Sequence, residues 1–205
     1  MFEEVIATRK RLRELTREPS HRAGKKVIDH IDDICRNFIA ASPFLVIASR
    51  DADGHMDISP KGDPAGFVAI LDEKTLAIPD RVGNHRFDTF VNVIDCPDVA
   101  LIFIIPGHGD TLRIAGKARI VRDAALQARL AVAGKLPSFV LVVTVEEAFI
   151  HCPKCMTRSN LWKPESWPDR SKLPSLAEVI VAHAKPPEPL AEVEAFITAH
   201  NQRLY

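Results

Sequence analysis

The sequence predicts a mainly β protein: a meander of six or seven antiparallel strands tending toward a barrel, with helices packed outside it. Three observations lead there. Between Ser42 and Ile150 short apolar runs, many rich in Val and Ile, are separated by turn signals. Before Ser42 the apolar residues fall at helical spacing. After His151 the chain becomes Pro-, Ser- and Trp-containing, and helical patterning returns only near its end.

Taken in order, residues 1–40 read as two helices. Val5, Leu12 and Leu15 mark the first, Val27, Ile31, Ile34 and Phe38 the second, and Glu18-Pro19-Ser20 separates them. Asp29, Asp32 and Asp33 precede Arg36, which suits a solvated face with carboxylates toward a helix start. Strands are expected over 44–49 and 56–59, joined through Asp53-Gly54, a strong hairpin signal. Further strands are expected over 66–71, 75–78, 99–105, 111–121 and 139–150. Two helices interrupt them, 84–94 and 123–133, the second begun by Asp123 and closed by Gly134. Helices over 175–184 and 190–201 flank a stiff joint containing Pro186, Pro187 and Pro189. The organisation expected is a helical segment over 1–40, a barrel over 41–163, and a Pro-rich joint with terminal helices packing on the barrel over 164–205.

The chain has 205 residues, 46% hydrophobic and 26% charged, enough for one core. Lys plus Arg and Asp plus Glu both count 27, so no bulk charge points to nucleic acid or membrane. One Tyr and two Trp do not make the stacking platforms that bind single strands. The start of the chain lacks a signal-peptide pattern and no window reaches the ~18 apolar residues of a spanning helix, so a cytoplasmic location is expected. Cys35, Cys96, Cys152 and Cys155 are read as free thiols.

Four stretches could carry chemistry. In Ser59-Pro60-Lys61-Gly62-Asp63 a cation and a glycine meet at a strand end, where backbone can approach a ligand and Lys61 can face an anionic or electron-accepting group. The same residues also make an ordinary turn. In Ile78-Pro79-Asp80-Arg81-Val82-Gly83-Asn84-His85-Arg86 a strand runs through a glycine into a helix, with Asn84 at or near the cap and Arg86 in the first turn. Unpaired helix amides with Arg81 and Arg86 would form a phosphate pocket; the plainer alternative is a capped helix with solvated arginines. Asn92, about two turns on, would face the side of Asn84 or lie exposed.

In the strand 111–118, Thr111, Arg113 and Ala115 share one face, and Gly116 permits a bulge or close backbone approach. Finally, His151, Cys152 and Cys155 supply three zinc-type ligands, but a closed structural site needs a fourth and no second motif follows, so no metal is assigned. A redox dithiol is disfavoured because Cys-x-x-Cys here follows a strand instead of opening a helix.

The ordered set SPKGD, GFV, IPDRVGNHR, IPG, TLRIAGKA and HC followed by RSNLW resembles the pyridoxamine 5′-phosphate oxidase-like FMN-binding family, closest to its branch of uncharacterised FMN-dependent enzymes. The resemblance runs from about Ser42 to Trp162. It implies a six-stranded antiparallel split β-barrel and a homodimer holding FMN in two interfacial clefts. It further implies that Ser59, Pro60 and Lys61 lie along the flavin and its ribityl chain, with Ile78 and Pro79 on the adjoining strand. Asn84, His85 and Arg86 would hold the phosphate, assisted by Arg81. Thr111 and Arg113 would be presented to the ring, and Arg158 and Trp162 would close the site. The carboxy-terminal tail departs from that of the oxidase proper, so vitamin B6 is not carried over as the substrate.

The function expected is an FMN-dependent oxidoreductase acting on a small molecule, with NADPH, NADH or oxygen as second partner. The alternatives are a flavin carrier or sensor without turnover and, from a different class, a zinc-dependent structural module.

Overall fold

The computed structural model describes residues 2–205. Three short helices lead the chain: α1 (Arg9–Leu15), α2 (His21–Lys25) and α3 (Asp33–Ala41). The strands are β1 (Phe44–Arg50), β2 (Met56–Gly62), β3 (Ala69–Asp72), β4 (Thr75–Pro79), β5 (Asp98–Ile104), β6 (Thr111–Val121) and β7 (Val140–His151). Helices α4 (Asp88–Asp95) and α5 (Ala124–Arg129) interrupt them, and α6 (Lys154–Ser159), α7 (Leu176–Ala184) and α8 (Leu190–Asn201) follow.

All pairings are antiparallel, in one seven-stranded sheet ordered β2-β1-β5-β6-β7-β4-β3. The mainly β, antiparallel reading holds; where a six-stranded split barrel was expected, the sheet has seven strands and is not closed. β2 and β3 are the two edges and do not pair with each other. The extra strand, β3, is a four-residue piece paired to β4 with a register shift between Ile70 and Asp72. At the other edge α4 packs beside β2 and β1.

Alternation along the central strands fills the interior. Leu45 and Ile47 of β1, Leu101 and Phe103 of β5, and Leu112 and Ile114 of β6 are fully or almost fully buried. Each such side chain contributes about 1.5–3 kcal/mol of hydrophobic stabilisation. α3 covers this face with Cys35, Phe38 and Ile39, and α4 adds Phe90 and Val93. The β6–β7 pair bulges between Ala115 and Gly116, as a glycine there allows. A Cβ on Gly116 would overlap the Thr144 carbonyl oxygen and crowd Val145 Cα at 3.2 Å. The β1–β2 hairpin turns through Gly54, whose φ of 89° suits glycine.

Three local expectations are corrected. The second amino-terminal helix is broken: Ile28 exchanges backbone hydrogen bonds with Ala148 of β7, 3.0 and 2.7 Å, and a new helix starts where Asp32 accepts from the Cys35 amide at 2.8 Å. Sheet pairing outcompetes helical spacing at this point. The helix expected from residue 84 begins at Asp88, because His85 and Phe87 sit in the left-handed region at φ 57° and 56°. Helix α6 was not expected, and it places Cys152 just before a helix whose N-cap is Pro153. By contrast, Asp123 caps α5 by accepting from the Leu126 amide, and Ser175 with Glu178 forms a capping box on α7.

Candidate functional site

β2, the 80–88 connection, the 135–139 segment and Tyr205 enclose a cavity of about 510 Å³, within the size range of small-molecule and cofactor sites. Ser59, Pro60, Lys61, Arg81, Asn84, His85 and Arg86 all line it. Two stretches separated in sequence thus meet across one space. Ile78 and Pro79 lie in a narrower recess beside it, with Ile47, Lys61, Asp80 and Phe90.

The 80–88 loop is shaped by its own polar groups. Asn84 Oδ1 accepts from the Arg86 amide at 3.0 Å, a local turn where a helix cap was expected. Phe87 occupies the N-cap position of α4 without a side-chain cap, and its ring stacks on Phe90 at 5.7 Å. The first turn of α4 thus reaches the cavity, through Asp88 and Thr89, with no side chain covering its amides. Thr89 ties the helix to β2 by donating to Asp57 Oδ2 at 3.2 Å.

The two arginines have different settings. Arg86 is mostly exposed and pairs with Asp88 at 2.7 Å, which raises its pKa further. Arg81 is largely buried: its Nε donates to Asp63 Oδ2 at 2.5 Å and its guanidinium also donates to the Leu130 carbonyl at 2.9 Å. Asp80 also lines the cavity; burial pushes its carboxyl pKa up, against the pull of Lys61, His85 and Arg81. Asn92 is neither exposed nor beside Asn84. It is buried and donates to Ser49 Oγ at 3.0 Å, joining α4 to β1.

The remaining expected residues lie outside the cavity lining. Thr111 is buried and in register with His151. Arg113 lies over the Phe149 ring at 5.5 Å, next to Lys26 at 5.4 Å from the same ring. His151 packs on Phe149 at 4.8 Å, and burial together with Lys26 and Arg113 lowers its pKa. Arg158 is exposed on α6, and Trp162 Nε1 donates to the His108 carbonyl at 2.7 Å. Cys152 and Cys155 are exposed. Among the described residues, the His, Cys and carboxylate groups that converge are Asp51, Asp53 and His55 in the β1–β2 hairpin, and Asp51 already accepts from His55 there.

Residues 31–152, from the approach to α3 through β7, match the family described as pyridoxamine 5′-phosphate oxidase. The chain belongs to that family. Its members generally bind FMN. Solved structures with a similar fold include HupZ of Group A Streptococcus, 21% identical, covering 58% of this chain and 93% of that one at a TM-score of 0.49. An FMN-binding protein of Syntrophomonas wolfei is 12% identical, with 56% and 82% covered and a TM-score of 0.44. The haem storage protein HutZ of Vibrio cholerae is 17% identical, with 60% and 94% covered and a TM-score of 0.42. No curated protein matches the sequence significantly.

The lining offers donors that fit an anionic phosphate. Lys61 and Arg86 supply cations, and the uncapped first turn of α4 supplies amides. Sequence reasoning missed Asp57, the segment from Lys135 to Phe139, and Tyr205, which also line the cavity. Asp57 sits two residues before Ser59 on the alternating strand, so strand periodicity could have found it. Nothing local marks Tyr205.

Proposed function

We propose that the protein is an FMN-dependent oxidoreductase acting on a small organic molecule, with a nicotinamide or oxygen as the second partner. The observation that carries this is the meeting of Ser59-Pro60-Lys61 with Asn84-His85-Arg86 across one cavity beside an uncapped helix start. Bound FMN would supply hydride and electron transfer. Lys61 would hold the electron-rich edge of the ring by charge, and His85, Arg86 and the first-turn amides of α4 would hold the phosphate. Arg81 would act at one remove, fixing the wall through Asp63.

The working unit in this reading is a homodimer. Met56 and Ile58 on the edge strand β2 are exposed, as are Val91 and Ile94 on α4, which packs beside that strand. Such an apolar surface favours covering by a second copy. No helix of the described residues is long and apolar enough to cross a membrane.

The test is a visible absorption spectrum during titration with FMN, followed by anaerobic NADPH or NADH. Saturation at one flavin per chain supports the site, and bleaching supports the oxidoreductase over a carrier or sensor. A chain that leaves the flavin spectrum unchanged refutes the reading. Lys61→Met is expected to lower the midpoint potential of the bound flavin, and an unchanged potential removes Lys61 from the ring edge.

A further inference from the structure

Tyr205 is the sole tyrosine of the sequence, and it belongs to the cavity wall although 142 positions separate it from Asp63. Its hydroxyl donates to Asp63 Oδ1. Arg81 donates to the other oxygen of the same carboxylate at 2.5 Å. With the phenol in place the Asp63 side chain is 1% exposed, so Tyr205 and Arg81 together keep its carboxylate from solvent. The Arg81 guanidinium also lies 5.7 Å from the centre of the tyrosine ring. The ring is therefore held by a hydrogen bond at its tip and by a cation beside it.

Little else holds this segment. Residues 202–205 are exposed, and α8 before them buries Val193 alone. The contact with Asp63 and Arg81 thus fixes an aromatic wall to the cavity by one point. A flat aromatic surface at a cavity edge favours a planar π ligand and slows its escape.

We propose that Tyr205 is a ligand-contact residue of this cavity that sets the residence time of a planar aromatic ligand, with the Asp63–Arg81 pair as the latch that positions its ring. This rests on the flavin reading. The hydrogen bond to Asp63 also raises the pKa of the phenol, which keeps the donor proton in place across the neutral range.

The experiment uses the full chain labelled with 3-fluorotyrosine, which gives a single ¹⁹F resonance because there is a single tyrosine. FMN addition is expected to move that resonance in step with the visible titration. In stopped-flow release, Tyr205→Phe keeps the ring but loses the latch and should release FMN about threefold faster, and Tyr205→Leu about tenfold faster, with association little changed. Binding of FMN with a motionless resonance, or release from Tyr205→Leu at the wild-type rate, overturns this inference alone. Failure of the wild-type chain to bind FMN overturns the flavin reading and this inference with it.

Discussion

Arg81 offers the sharpest discrimination between a residue that grips a ligand and one that holds the wall. Its side chain is 15% exposed and that of Asp63 is 1% exposed. At an effective dielectric of about 20, opposite charges some 4 Å apart attract by about 4 kcal/mol. Removing one member of such a pair costs about 3–5 kcal/mol, because the other is left buried and uncompensated. In Arg81→Met the carboxylate of Asp63 keeps only Tyr205 as a side-chain donor, and the Leu130 carbonyl loses its partner as well. For a chain of this length each kcal/mol shifts Tm by about 2–4 °C, so Tm should fall by roughly 6–20 °C. Thermal and urea unfolding of the ligand-free protein measure this directly. Replacing both members, as Arg81→Met with Asp63→Leu, should recover much of the loss, since a well-packed apolar pair often matches a buried ion pair. Arg86→Ala is the contrast: its exposed pairing with Asp88 predicts an unchanged Tm and weaker FMN binding. An Arg81→Met protein that melts within about 2 °C of wild type, yet binds FMN poorly, would refute the assignment and return Arg81 to the phosphate.

Gly116→Ala should cost about 3 kcal/mol, seen as a loss of Tm, because its methyl group would meet the Thr144 backbone across the β6–β7 bulge. Asp80 binds its proton more tightly folded than unfolded, so its ionisation weakens the fold as pH rises from the ordinary carboxylate range through the raised pKa. Asp80→Asn should therefore raise Tm of the ligand-free protein at neutral pH and lose that advantage in acid; no gain at neutral pH contradicts the burial argument. Cys35 is buried beside Asp32 and its thiol is pushed up to about 12, chiefly by burial. A thiol reagent at mildly alkaline pH should label Cys152 and Cys155 in the native protein and reach Cys35 only on unfolding, as peptide mapping would show.

The sequence by itself determined the β character, the positions of most strands and the two stretches that meet in the cavity. Period-two alternation with Val and Ile is a local signal, as are the Asp53-Gly54 turn and the caps Asp123 and Ser175, so they survive in any context. Gly116 was legible for the same reason, since a glycine inside a strand marks a close approach. Tertiary structure decided what local signals do not contain. Ile28 leaves its helix because Ala148 offers it a sheet partner, and Asn92 turns inward because Ser49 lies opposite. The open edges β2 and β3 depend on where α4 and the short β3 strand pack, not on the strand count. Most of all, the distant placement of Asp63 and Tyr205 made Arg81 part of the wall. An arginine in a turn reads as free until the chain brings a buried carboxylate to it.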